Sequence, residues 1–337
     1  MNLLKLIAVQ LIRQASASLP TDIQIAQWKV RMEKVNYLGQ PNCYRLSNGT
    51  VEVVVSTDVG PRILRYGFVG EENVLGEYPD LKVTSELGEW TAYGGHRLWT
   101  APEAMPRTYS PDSIQVAYEI DGDRSIRLLQ PVEPKTAIQK ELNLTLDAEA
   151  SRLVVRHRIT NRGLWDVELS PWAITIMRYG GMTILPLEPF RSHDEYLLPA
   201  RPMTLWHYTD LSDPRWTFGK NFIRLQTDDT LDAPQKIGIA NKQGWAGYWR
   251  NQTLFLKRVR YQENACYPDY GSNVETYTAG AFVELETLGP LERLQPGQAS
   301  EHTEIWSLHA NVEIGSSEVS LRAALAPIVE SRDCEIA

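Results

Sequence analysis

From about residue 40 onward, apolar and polar positions alternate in short runs and do not recur at helical spacing. Runs 51–56, 114–120, 125–130, 137–146 and 153–159 are rich in Val, Ile and Thr or alternate in polarity, the pattern of strands. Asn48-Gly49, Asp121-Gly122-Asp123, residues 147–150 and Asn161-Arg162-Gly163 supply turn chemistry between them, and 136–146 with 151–160 reads as a hairpin. The same pattern continues at 167–177, 222–226, 237–240, 247–250, 253–259, 274–278, 281–287 and 301–308. Helix fits only near the N-terminus and at 317–326. Many strands with few helical crossovers predict an all-β fold, an antiparallel sandwich of large sheets.

Two Pro- and Trp-rich stretches, 76–112 and 186–219, lack clear periodicity. Long loops in a compact domain are usually functional or disordered, and the aromatic content here (Trp90, Tyr93, Trp99, Trp206, Tyr208, Trp216) predicts packed, functional loops. No linker or internal repeat interrupts 32–337, which is read as a single domain. Residues 1–31 are read as an extension. Lys5 ahead of an apolar run with small residues behind resembles a signal peptide, but Gln10 and Arg13 interrupt the run. Leu4, Ile7, Leu11 and Ile12 fit a short amphipathic helix instead, and a start at Met32 is a third reading.

The composition narrows the function classes. Acidic residues exceed basic ones by 42 − 34 = 8, which disfavours a nucleic-acid-binding protein. The densest basic run, Arg152, Arg156, Arg158 and Arg162, sits among Val154, Val155 and Ile159 and reads as the wet face of a strand. No membrane span is expected, because no stretch of about 18 apolar residues occurs. Cys43, Cys266 and Cys334 are far apart and form no CxxC pair, so the expected compartment is the reducing cytoplasm, with secretion the lesser reading. The 10 Trp and 15 Tyr provide amphipathic surfaces that stack on flat ligand faces, sugar rings included.

Several constellations are candidates for chemistry. In Tyr93-Gly94-Gly95-His96-Arg97-Leu98-Trp99, followed by Glu103, paired glycines allow close backbone approach, and a titrating His adjoins a guanidinium fork. The alternative is a turn with a structural histidine. Strand alternation at 282–287 places Glu284 and Glu286 on one face, roughly 6.5–7 Å apart, either as a working pair of carboxylates or as a solvated edge. Asp269 lies in a turn between Tyr267 and Tyr270, Lys257 sits on a neighbouring strand, and Gly60-Pro61 presents Arg62. Each of these also fits turn chemistry or a surface pair. The six histidines are scattered without metal-ligand spacing, and the nucleotide, serine-hydrolase and P-loop fingerprints are missing, so neither metal nor cofactor is expected.

Residues 274–280, Val-Glu-Thr-Tyr-Thr-Ala-Gly with Glu275 and Tyr277, resemble the Leu-Gln-Val-Tyr-Thr-Gly-Asn stretch of galactose mutarotases (aldose 1-epimerases). Leu285-Glu286-Thr287 resembles the Leu-Glu-Thr-Gln that carries their catalytic glutamate, and Val59-Gly60-Pro61-Arg62-Ile63 resembles their Gly-Ala-Arg-Ile. A Leu294–Gly297 turn and a closing Thr303-Glu304-Ile305-Trp306 follow in family order. The resemblance implies a galactose-mutarotase-like β-supersandwich with a sugar cleft on its concave sheet. It further implies Glu286 as the base, His96 as the acid or a substrate-binding group, and Arg62 on ring hydroxyls. One departure is marked: where the family carries its second histidine, Ser170-Pro171-Trp172-Ala173-Ile174-Thr175 has none.

The expected ligand is a small-molecule sugar or sugar derivative, and Arg62, Arg97 and Lys257 make an anionic sugar an option. Three readings stay open. The first is an isomerase of aldose 1-epimerase type. The second is a non-catalytic carbohydrate-binding protein stacking sugar on Tyr93, Trp99 and Trp172. The third is a lyase or hydrolase on the same scaffold.

Overall fold

The computed structural model describes residues 30–331. Its strands assemble into two large antiparallel sheets and one separate hairpin. The first sheet runs in the order Arg31–Tyr37, Gln40–Ser47, Val51–Ser56, Arg62–Phe68, His96–Ala101, Val167–Met177, Phe282–Leu288, Val274–Ala279, Gln235–Ile239 and Met203–Leu205, with Glu292–Leu294 pairing on Val167–Met177. The second runs Trp216–Phe218, Phe222–Gln226, Met182–Pro186, Trp245–Arg250, Thr253–Val259, Ala299–His309, Arg152–Asn161, Ile138–Leu146, Ser125–Leu129 and Ala117–Asp121.

Alternation explains the sandwich. Ile138–Leu146 buries every second residue, and its partner Arg152–Asn161 turns Leu153, Val155, His157 and Ile159 inward while Arg156 and Arg158 stay in water. The inward faces of both sheets meet in one core holding Val53, Ile63, Leu142, Val155, Phe255, Leu285 and Trp306. Apolar burial of this kind contributes roughly 25 cal/mol per Å² and dominates the stability of the fold. The helix Glu318–Val329 starts at Ser317, whose hydroxyl accepts from the Ser320 amide, where the sequence predicted a helix at 317–326. Its Leu321 and Leu325 cover the outer face of the second sheet at Ile184, Leu254 and Leu256.

Most of the stretch 76–112 is not a loop, only its end after Ala101. It forms the hairpin Glu77–Ser85/Gly88–Gly94 and then His96–Ala101, an interior strand of the first sheet. All six residues of that strand are buried, so it carries no polar alternation for a sequence to display. The stretch 186–219 is mostly irregular, with only Met203–Leu205 and Trp216–Phe218 in strands. The helix or signal-like segment expected near the N-terminus lies outside the described residues. The division after residue 31 falls at a strand start, since Val30 is already in the core and Arg31–Tyr37 pairs with Gln40–Ser47. Among the described residues no helix is long and apolar enough to cross a membrane.

Candidate functional site

Register across the first sheet decides which side chains meet on its outer face. Arg62 lies opposite Arg97, Arg97 opposite Ile174, Ile174 opposite Glu286, and Glu286 opposite Glu275. One step along the strands, Ile176, Glu284, Tyr277 and Lys236 form a second row. Trp99 and Trp172 are paired in a third. Above these rows a cavity of about 450 Å³ is walled by Trp90, Trp99, Trp172, Trp206, Tyr208 and Tyr277, a usual size for a small-molecule site. Glu103, Tyr109, Arg97, Lys236 and Glu284 add polar groups to its lining.

The floor holds two carboxylates bridged by a lysine. Lys236 Nζ stands 2.8 Å from Glu275 Oε2 and 3.0 Å from Glu286 Oε2, between the rings of Trp172 and Trp206. Trp172 Nε1 also donates to Glu286 Oε2 at 2.7 Å. Burial alone would lower the affinity of Lys236 for its proton. The Glu275 and Glu286 carboxylates outweigh it and hold the ammonium well above the ordinary lysine range. Burial pushes Glu275 well above the usual carboxylate range, with Lys236 opposing and Glu286 adding to the shift. Gly238 beside Glu275 makes room: a Cβ there would lie 2.5 Å from Ser272 Oγ.

Glu284 forms part of the wall. Its Oε1 accepts from Arg97 Nη2 at 3.4 Å, and burial followed by the Glu286 charge pushes its carboxyl up to about 7 against Arg97 and Lys236. The Arg97 guanidinium lies 4.2 Å from the Trp99 ring centroid and 5.0 Å from that of Trp90. Several buried polar atoms around the cleft have no protein partner: Arg97 Nε and Nη1, Trp90 Nε1, Glu275 Oε1 and Glu286 Oε1. Donors and acceptors are thus left over side by side, and burying either unpaired is costly.

The structure brings together on this face Glu284, Glu286, Glu275, Tyr277, Arg97, Trp99, Trp172 and Glu103. Asp269 sits beside them in the left-handed turn Pro268–Gly271, facing Glu275 and Lys236, its carboxyl raised by burial. Four of the predicted site residues are elsewhere. His96 points to the opposite face of the sheet, because strand neighbours alternate and Arg97 takes the cleft side. Arg62 is on the cleft face but covered by the hairpin. It donates to the Ala92 and Gly94 carbonyls and pairs with Asp112, so it clamps the wall and does not reach the cavity. Tyr93 packs over Arg62 and against the Cys43, Val54 and Leu64 cluster. Lys257 is buried between the sheets, 2.8 Å from Glu304 Oε1. The Gly94-Gly95 pair admits the protein's own chain, not a ligand: a Cβ on Gly95 would lie 2.1 Å from the Ile63 carbonyl oxygen.

His96 belongs to a polar spine inside the sandwich. Its Nε2 is 2.7 Å from His157 Nε2 and its Nδ1 2.8 Å from Thr175 Oγ1. His302 Nε2 meets Thr287 Oγ1 at 2.7 Å, and Glu304 accepts from Lys257, Trp306 Nε1 and Thr287. His96, His157 and Glu304 bring three ligand-type atoms within 4.8 Å of one another. Every one of these groups already has a hydrogen-bond partner: His96 and His157 bond each other, Thr175 and the His302 carbonyl take their other nitrogens, and Glu304 accepts from three donors. The group is a hydrogen-bonded part of the core.

Sequence reasoning missed Lys236 and Tyr109 as cleft residues, and placed Trp90, Trp206 and Tyr208 in functional loops without assigning them to the site. Lys236 carried a signal: in Lys-Ile-Gly-Ile it shares a strand face with Gly238, opposite Ile237 and Ile239.

No protein-family model and no curated protein matches this sequence. Solved structures do match it in shape. A putative aldose 1-epimerase from Klebsiella pneumoniae superposes with a TM-score of 0.54 at 12% identity, covering 91% of this chain and 89% of that one. A galactose mutarotase-like protein from Lactobacillus casei gives 0.51 at 10% identity, covering 80% and 100%. The fold is galactose-mutarotase-like. A TPR-domain containing protein from Parabacteroides distasonis also matches, with a TM-score of 0.53 at 12% identity. The match covers 82% of this chain but only 49% of that larger one. At such identities the likeness extends to the all-β supersandwich and stops there.

Proposed function

We propose that the cleft over Glu284, Glu286 and Glu275 binds the ring of a free, uncharged sugar, and that the protein is an isomerase of aldose 1-epimerase type. The observation that carries this is the set of unpartnered donors and acceptors beneath an aromatic wall. Hydroxyl groups both give and take hydrogen bonds, so a polyol satisfies the cavity-lining Arg97, Trp90 and Glu284 together, while its apolar ring face stacks on tryptophan. An anionic sugar fits less well than the sequence suggested. Arg62 and Lys257 are engaged with Asp112 and Glu304, and the two cations of the cleft, Arg97 and Lys236, already face carboxylates.

A non-catalytic sugar-binding role is the second reading. It is favoured by the state of Glu286, fully buried and held by both Lys236 and Trp172. Exchange between α and β anomers, followed by NMR with neutral, acidic and phosphorylated sugars, separates the two. Accelerated exchange of a neutral aldose supports the isomerase. Line broadening without acceleration supports the binding protein.

A further inference from the structure

We infer that Glu284, not the motif glutamate Glu286, is the group that reacts with the sugar, and that it works alone, as a neutral carboxylic acid that donates one proton while accepting another. The inference rests on the isomerase reading above and names the reacting group of that same site.

Position comes first. Glu284 lines the cavity, whereas Glu286 lies beneath it with no exposed surface, behind Trp172 and Lys236. Arg97 Nη2 supplies the one hydrogen bond that the Glu284 carboxyl makes to the described residues, at 3.4 Å to Oε1. Oε2 and the second lone pair of Oε1 are left for a ligand.

The second consideration is the missing acid. Opening a sugar ring requires a proton on the ring oxygen as well as removal of one from the anomeric hydroxyl. No histidine lines the cavity, and His96 is bonded to His157 and Thr175 on the other side of the sheet. The phenols of Tyr109, Tyr208 and Tyr277 are raised by burial, and the Lys236 ammonium is held by two carboxylates, which leaves poor acids.

A neutral carboxyl does both jobs. The ring oxygen and the anomeric hydroxyl sit on one carbon, as do the two oxygens of Glu284. The carboxyl O–H gives its proton to the ring oxygen as the bond between that oxygen and the anomeric carbon breaks, and the bonding pair stays on the oxygen. The anomeric O–H proton passes to the other carboxyl oxygen as the carbonyl forms. Glu284 ends neutral, its proton moved from one oxygen to the other. Rotation of the aldehyde and the reverse transfer give the other anomer, with no outside proton or co-reactant.

The surroundings favour this protonation state. Glu284 faces Glu286 on its own strand, Arg97 from His96–Ala101, Lys236 from Gln235–Ile239, Tyr277 from Val274–Ala279, and Glu103 and Tyr109 from the loop above. Burial and the two neighbouring carboxylates outweigh the two cations, bringing the carboxyl to about 7.

The test is the pH profile of enzyme-catalysed anomer exchange. For the wild type, the rate is expected to fall tenfold per unit above about pH 7, since only the protonated form works. Glu284→Gln, which cannot pass a proton, is expected to lose about 10²-fold or more. Glu286→Gln is expected to keep turnover with its falling limb moved to lower pH, because a neighbouring negative charge is gone and Lys236 is less compensated. A purely structural Glu286 would leave the limb in place. A wild-type rate that rises through pH 7, or full activity in Glu284→Gln, overturns the assignment while leaving the isomerase reading intact. No acceleration of any aldose by the wild type overturns both. The wild-type profile needs no variant to fold.

Discussion

The Lys236 ammonium stands 3.0 Å from Glu286 Oε2, both groups buried, with Glu275 directly opposite Glu286 across the strand pair. One cation therefore serves two carboxylates. Removing it leaves uncompensated, buried charge at the floor of the cleft. Lys236→Met is expected to destabilise the protein by about 3–5 kcal/mol, read as a lower urea midpoint at unchanged slope. A change below about 1 kcal/mol would show that the floor carboxylates are already neutral.

The aromatic wall gives a binding prediction. Trp206 belongs to a loop, is only partly buried, and lies over Lys236 at the cavity. Trp206→Ala is expected to weaken sugar binding by about 1 kcal/mol, roughly fivefold in Kd by calorimetry. Trp165→Ala is the control, since that side chain is 81% exposed and lines no part of the cleft. Equal losses in the two variants would remove the wall from the binding site.

The histidine spine sets acid stability. Burial lowers the basicity of His96, His157 and His302, that of His302 to about 3. Unfolded histidine takes a proton near pH 6.5, so below about 6.5 the unfolded chain binds protons that the folded one refuses. Stability is then complete above that pH and falls as the pH drops toward 3, by about 1.4 kcal/mol per pH unit for each histidine involved. Melting temperatures across this range should slope steeply for the wild type. His302→Gln, which keeps a donor for Thr287 without a titrating ring, should flatten the slope.

Gly95, like its neighbour Gly94, has no room for a side chain. Its φ of +70° and the Ile63 carbonyl 2.1 Å from a would-be Cβ leave no place for a side chain. Gly95→Ala is expected to cost about 3 kcal/mol or more, because the strand bearing Arg97 and Trp99 must shift. Gly39→Ala has φ +77° but open space, and should cost only about 1–2 kcal/mol. Chemical denaturation of both variants compares steric clash with backbone strain alone.

Period-2 alternation made much of this protein legible in advance. The strands Val51–Ser56, Val167–Met177, Phe222–Gln226 and Thr253–Val259 have the bounds the sequence predicted, and the hairpin read at 136–146 with 151–160 and the wet arginine face are both present. Glu284 and Glu286 share a face for the same reason: within one strand, neighbours at i and i+2 point the same way whatever surrounds them. His96–Ala101 escaped because both its faces are buried and alternation vanishes.

What local pattern does not carry is which face of which strand meets which partner. His96 and Arg97 are adjacent in sequence and equally plausible as site residues, yet one enters the core and the other the cleft. Register with Val167–Met177 and the packing of the second sheet made that division. Lys236 reaches Glu286 only because Gln235–Ile239 pairs with Val274–Ala279, which pairs with Phe282–Leu288. Side-chain direction along a strand is a local property of the chain. The meeting of residues some fifty positions apart is a property of strand order, and only the folded sheet settles it.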